Sequence, residues 1–293
     1  MASVIGGKAL APKAVVAELS RPGPYPVLRG ELALVGLPGA VFTPATGTGL
    51  PAVAFAHDWL QPASRYFGLL RHLASWGIVA AAPDTQRSPI GSHRALAHDL
   101  RTALGVCSGV RLGGSARGAA VSVDPGKLGL AGHGMGAGSA VLAAAVPAAD
   151  TQVQAVGEPY WEVGHGVAVQ AVATIALTDT KPSAVDAARA VHLPGMHLGF
   201  GKDLVSPPAA GADLVEQNWG GESSLRTIKK ATHLGLLEGR HWSDILLDGK
   251  GEPATRSLVK ALLTGFLLHR LNGDGRYAAA FDGSVKGTEV HSA

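Results

Sequence analysis

The sequence predicts a mixed α/β protein with a mostly parallel, doubly wound sheet and an antiparallel N-terminal edge. Two patterns carry this reading: short apolar runs alternate with segments of helical spacing, and a glycine-rich turn joins one such run to a small-residue helix. The elements follow in order. Arg21–Pro26, rich in proline, reads as extended and ends an N-terminal lead-in over residues 1–25; residues 26–293 read as one domain. Glu31–Val35 and Ala40–Thr43, split by Gly36-Leu-Pro-Gly39, are expected to form an antiparallel pair. Ala52–Ala56 and Ile78–Ala82 are buried strands, and Tyr66–Ser75 between them is a helix ended by Gly77. A helix over His93–Val106 precedes the strand Leu128–Ala131, and Gly136–Ala145 is the small-residue helix. Strands are expected at Ala171–Ala176, His197–Phe200 and Ser224–Ile228, with a terminal helix over Arg256–Leu271. Thr151–Gly166, with Tyr160 and Trp161, reads as a loop insertion.

Composition narrows the functional classes. Hydrophobic residues make up 46% and charged residues 16% of the chain, which excludes a disordered polymer. Twenty-five Lys+Arg against 22 Asp+Glu leave a formal charge of +3, too little to supply a nucleic-acid field, so no nucleic-acid partner is expected. One cysteine, Cys107, rules out an intramolecular disulfide and a Cys-rich zinc site, and no metal ligand set is assigned. No run of 18 uncharged apolar residues suggests a membrane span, and residues 1–8 are too short and interrupted for a signal peptide. A cytoplasmic protein is expected. Nothing in the composition fixes its oligomeric state.

The chemistry is expected at Gly132-His-Gly-Met-Gly-Ala-Gly138, where a strand end meets a helix. Three readings are open. Gly132, Gly134 and Ala137 fit a dinucleotide fingerprint with Asp150 further on, but Asp150 precedes the next apolar run, and the motif does not open the domain. Gly132 and Gly136 fit the glycines of a G-x-S-x-G nucleophile elbow, with Gly134 where the serine belongs. The turn could also be structural, without chemistry. Displaced elbows do not rescue the second reading: Gly113-Gly-Ser115-Ala-Arg117 lacks the second glycine. Gly105-Val-Cys107-Ser-Gly109 follows a helix pattern, and its thiol reads as buried and inert.

Taken whole, the chain resembles the α/β-hydrolase branch of poly(ethylene terephthalate) hydrolases, cutinase-like polyesterases and dienelactone-hydrolase-like proteins. Leu73–Thr85, Lys127–Gly136 and Gly273–Phe281 resemble three of that family's motifs, and the order and spacing extend from about Pro22 to Phe281. The resemblance implies an α/β-hydrolase fold and an esterase-like site without a cofactor. It carries the catalytic acid to Asp203 and the catalytic histidine to His233, with His57 and His241 as competitors. It carries the oxyanion-hole amides to Trp59 and Met135, and substrate-lining positions to Asp58 and Thr178. The chain departs from the family pattern at several places. Asp58 takes a usual glycine position, which could bring negative charge near a developing oxyanion. Leu177-Thr-Asp-Thr180 replaces the usual tryptophan segment, and the family's disulfides are absent.

Gly134 has no atom with which to attack an acyl carbon. Three explanations are carried forward: a natural pseudohydrolase that binds an acyl, ester-like or hydrophobic ligand; an active serine esterase whose nucleophile was replaced by glycine; or hydrolysis by water activated on His233. The first is favoured, because inactivating replacements more often carry alanine and because the departures at Asp58, Ala137 and the tryptophan segment coincide. A dinucleotide-dependent oxidoreductase is the reading from another class.

Overall fold

A computed structural model of the chain describes residues 8–112, 120–146 and 167–291. Within them a sheet runs in the order β1-β2-β4-β3-β5-β6-β7-β8-β9. Its strands are β1 (Val27–Glu31), β2 (Gly39–Pro44), β3 (Leu50–Ala56), β4 (Val79–Pro83), β5 (Val123–His133), β6 (Val169–Ile175), β7 (Gly195–Phe200), β8 (Ser223–Ile228) and β9 (Thr288–His291). The five pairings from β4 through β8 are parallel; β1–β2, β2–β4 and β8–β9 are antiparallel.

Helices cover both faces. α1 (Pro12–Leu19), α2 (Phe67–Ser75) and α7 (Pro253–Asn272) pack on one; α3 (His93–Gly109), α4 (Met135–Ala145), α5 (Ala184–Ala187) and α6 (Ala212–Asn218) pack on the other. The strand pleat divides the side chains between them: Val53 and Phe55 of β3 enter the first core, Ala52, Ala54 and Ala56 the second. Because both faces are dry, the central strands carry continuous apolar runs, which is why alternation of run and helix was readable from the sequence.

The N-terminal part differs from expectation. The lead-in contains α1 where an extended segment is expected: Pro12 sits at its first turn, and Val15 and Leu19, one turn apart, are buried against α7. Leu32–Val35 forms a 3₁₀ turn, closed by Gly36 at φ 84°, so the strand paired with β2 lies upstream at Val27–Glu31. β9 and α6 also have no counterpart among the expected elements. Thr151–Gly166, Asp150 and Gly113–Arg117 lie outside the described residues.

The connections place the site. The chain passes from β3 outward to β4, then returns to place β5 on the other side of β3. The strand order therefore reverses between β3 and β5, and the crevice at the carboxyl ends of these two strands is where an open parallel sheet binds ligands.

Cys107 lies on the buried face of α3, and burial pushes its thiol up to about 12. In the native protein it should resist a thiol-specific chromogenic reagent at neutral pH and react stoichiometrically once the chain is unfolded.

Candidate functional site

Two turns meet at the reversal. β5 ends at His133, and Gly134 turns the chain straight into α4 with φ 54° and ψ −119°, a conformation that a residue with a Cβ adopts only under strain. A Cβ on Gly132 would strike the Gly136 carbonyl, and one on Gly136 would strike the carbonyls of Ala56 and His57. Strand, turn and helix can approach this closely only with glycine at these positions. The turn is anchored on β6 by the Gly134 amide, which donates to Ile175 O at 3.0 Å, and by Thr178, whose amide donates to Gly134 O at 3.2 Å.

The second turn follows β3. Asp58 is 2% exposed, and two residues later Leu60 takes φ 60°, strained for a branched side chain, while Gln61 N–H closes onto Asp58 O at 3.0 Å. This tight loop directs the Asp58 carboxylate at the first turn of α4. Oδ1 accepts the Met135 amide at 2.9 Å, and Oδ2 lies 2.8 Å from His233 Nε2. A Cβ on Gly134 would overlap this carboxylate. Asp58 therefore stands beside residue 134, in space that a side chain there would need.

His233, in a 3₁₀ turn after β8, is fully buried. Its Nδ1 lies 2.8 Å from Asp203 Oδ2, and Asp203 Oδ1 accepts the amides of Val205 at 2.9 Å and Ser206 at 2.7 Å. Both ring nitrogens of His233 thus face carboxylate oxygens, which only accept; an imidazolium supplies the two donors they require. Burial alone would pull the His233 pKa down, but the charges and hydrogen bonds of Asp58 and Asp203 outweigh it and raise it to about 10. Burial likewise opposes ionisation of Asp58, yet His233 and the Met135 amide bring it to about 2. The positive end of α4 adds to this preference for an anion.

Two further residues complete the cluster. Tyr66 accepts the Asp58 amide on its hydroxyl at 3.1 Å, and the same hydroxyl is hydrogen-bonded with His133 Nδ1 at 2.9 Å. The His133 ring lies 4.9 Å from that of His233, centroid to centroid, and burial lowers its pKa to about 4, so it stays neutral beside the cation. Sequence reasoning assigned neither residue a role; the only signal was an aromatic at the start of a helix and a histidine in a variable place of the glycine turn.

The residues singled out from the sequence divide accordingly. Gly134, Met135, Asp58, Asp203 and His233 come together, with Thr178 attached through its backbone. Trp59 follows Asp58 in the turn and its indole donates to Pro89 O at 3.1 Å; Met135 is the one backbone amide on the Asp58 carboxylate among the described residues. His57 bonds Asp58 O and Thr85 O through its ring, and His241 bonds Ser243, so both competitors of His233 are committed elsewhere. Among the described residues no group of three or more His, Cys, Asp or Glu side chains is arranged to hold a metal ion.

The arrangement pairs one cation with two anions. The Asp58 anion satisfies the helix N-terminal amide and, with Asp203, sandwiches a cation that it keeps protonated.

Two outcomes follow. Gly134→Ala should cost about 3 kcal/mol or more in chemical denaturation, combining backbone strain with overlap on Asp58. In an Asp58→Gly background the same change should cost less by about 1 kcal/mol or more, a coupling read from the double-mutant cycle. The pH dependence has a definite sign. His233, raised above its ordinary 6.5, contributes stability that is complete below that pH and lost as pH rises through about 10. Asp58, lowered from 3.8, contributes stability present above that value and lost as pH falls towards 2. NMR of the imidazole nitrogens should show His233 still doubly protonated at pH 8, and Asp58→Asn should move its titration down by at least about one unit.

Neither protein-family models nor the sequences of curated proteins match the chain, so the geometry of this cluster carries the functional argument.

Proposed function

We propose that the protein is an α/β-hydrolase-like scaffold of the esterase branch that has given up ester hydrolysis and serves as a binding protein for a small acyl, ester-like or hydrophobic ligand. One observation carries the reading: the Asp58 carboxylate holds the Met135 amide and His233 Nε2 at once. In a serine hydrolase the corresponding amide must be open to a developing oxyanion, and the histidine must have a lone pair to take the serine proton. Here the amide is spent on a resident anion that would repel another, and the histidine is a cation between two acceptors. Lack of a nucleophile alone removes about 10⁶-fold in kcat. Water activation on His233 fails for the same reason, because the ring has no free lone pair. The chain order of turn, acid and histidine, at the ends of β5, β7 and β8, supports the hydrolase-like ancestry.

The relation between Asp58 and Gly134 bears on the alternatives. A serine at 134 would collide with the Asp58 carboxylate as it lies here, so the two residues fit as a pair, and a single replacement of an active nucleophile accounts for only one of them. A dinucleotide would need its pyrophosphate at the start of α4, where the Asp58 anion already sits. A cytoplasmic setting fits the single buried thiol.

An active-site-directed fluorophosphonate should leave the native protein unlabelled, and p-nitrophenyl acetate should not turn over above background. Gly134→Ser alone should remain inert. Gly134→Ser combined with Asp58→Gly should be labelled at position 134 and gain measurable esterase activity, lost again with His233→Ala. Labelling or turnover by the native protein would overturn the proposal, and binding of NADH would favour the oxidoreductase.

A further inference from the structure

Beyond the buried cluster, the same carboxyl edge of the sheet presents an apolar surface. After β7, Leu204 is 79% exposed and Val205 is exposed beside it; after β8, Trp242 is 62% and Ile245 85% exposed, followed by exposed Leu246. The two loops are joined by Asp248, which accepts the Leu204 amide on Oδ2 at 3.4 Å and gives its carbonyl to the Leu234 amide at 3.0 Å.

These side chains are held outward by buried polar structure. Trp242–Ile245 form a 3₁₀ turn closed by a reciprocal cap between His241 and Asp244. Beneath it Ser243 is fully buried and accepts Gln61 Nε2 at 2.9 Å, while the Arg65 guanidinium bonds Asp244 and the Gly239 carbonyl. Leu247 anchors the far end in the core. With Ser243 pinned inside, its neighbours Trp242 and Ile245 are left facing solvent.

The exposed charges of these loops are cationic. Lys202, Lys230, Arg240 and Lys250 are exposed and have no ion-pair partner among the described residues. The acids Asp244 and Asp248 of the same loops are half-buried and partnered, Asp244 with Arg65 and Asp248 with the Leu204 amide. A tryptophan and branched aliphatic side chains rimmed by unpaired Lys and Arg form the pattern that binds an anionic bilayer surface: apolar groups enter the acyl boundary and cations meet the headgroups. We propose that this face docks the protein peripherally on anionic lipid membranes.

The test is co-sedimentation with vesicles of phosphatidylcholine alone and with about 30 mol% phosphatidylglycerol, at neutral pH and low salt. The native protein should partition onto the anionic vesicles and remain in the supernatant with the neutral ones, and binding should fade at roughly 0.5 M salt. Lys202→Ala with Lys250→Ala should weaken partitioning about 30-fold, and Ile245→Ser about tenfold, each with an unchanged melting temperature. Tryptophan emission should shift to the blue on binding, and Trp242→Phe should remove that shift. Equal binding to both vesicle types, unaltered binding by the variants, or a shift that survives Trp242→Phe would overturn the proposal. So would a native protein that self-associates through this face, or one that binds an oligonucleotide but no vesicle.

Discussion

The buried chain of charges from Asp58 through His233 to Asp203 is the interaction on which the rest of this site depends. Three ionisable groups with little contact with solvent would each be costly alone, since desolvation in a protein interior costs several kcal/mol per ion. Together they are tolerated because each carboxylate oxygen facing His233 accepts a hydrogen bond from it and the remaining oxygens are met by backbone amides. The arrangement is self-consistent only as a set: removing one anion would leave the imidazolium with a single partner. A buried ion pair of this kind is weak evidence of high stability, and its more direct consequence is conformational, in that it fixes the loop after β3 against the start of α4.

Local strain collects at that loop and at the neighbouring strand ends. Leu60, Ala176 and Gly134 all take positive φ, and they lie after β3, after β6 and after β5, on three adjacent strand ends. Only Gly134 does so without a steric penalty. Backbone conformations of this kind, drawn together near the reversal of strand order, are the sort that gather at functional sites. What remains chemically distinctive is electrostatic, a fixed anion at a helix N-terminus, and this is also what closes the place to a second anion.

Much of the architecture could be read from residues alone, for reasons visible in the structure. The central strands lie under helices on both faces, so their sequences are largely short apolar runs, and the intervening helices show their own period. The glycine turn was legible because close backbone approach at Gly132 and Gly136 admits nothing larger. Asp203 and His233 could be ordered along the chain by the resemblance. The N-terminal helix was hidden because only Val15 and Leu19 of its residues are buried, too few to establish a period beside the Pro-rich stretch that follows. The role of Asp58 was half visible: its charge was suspect near an oxyanion site, but its bridging position depends on the turn at Leu60 and on partners 77 and 175 residues away. Tyr66 and His133 escaped notice because a hydroxyl and a neutral ring buried beside a charge look the same in sequence as ordinary core residues.

The last strand has a bearing on colloidal behaviour. β9 lies antiparallel on β8, pairing Thr288–His291 with Leu225–Ile228, and so hides the hydrogen-bonding rim of the last parallel strand. In its place it offers the solvent a rim of four residues that carries Glu289, itself 3.5 Å from Lys229. A short, charge-bearing border is a poor template for a strand from another molecule, so this small segment guards an Ala- and Val-rich sheet against edge-to-edge growth into fibres.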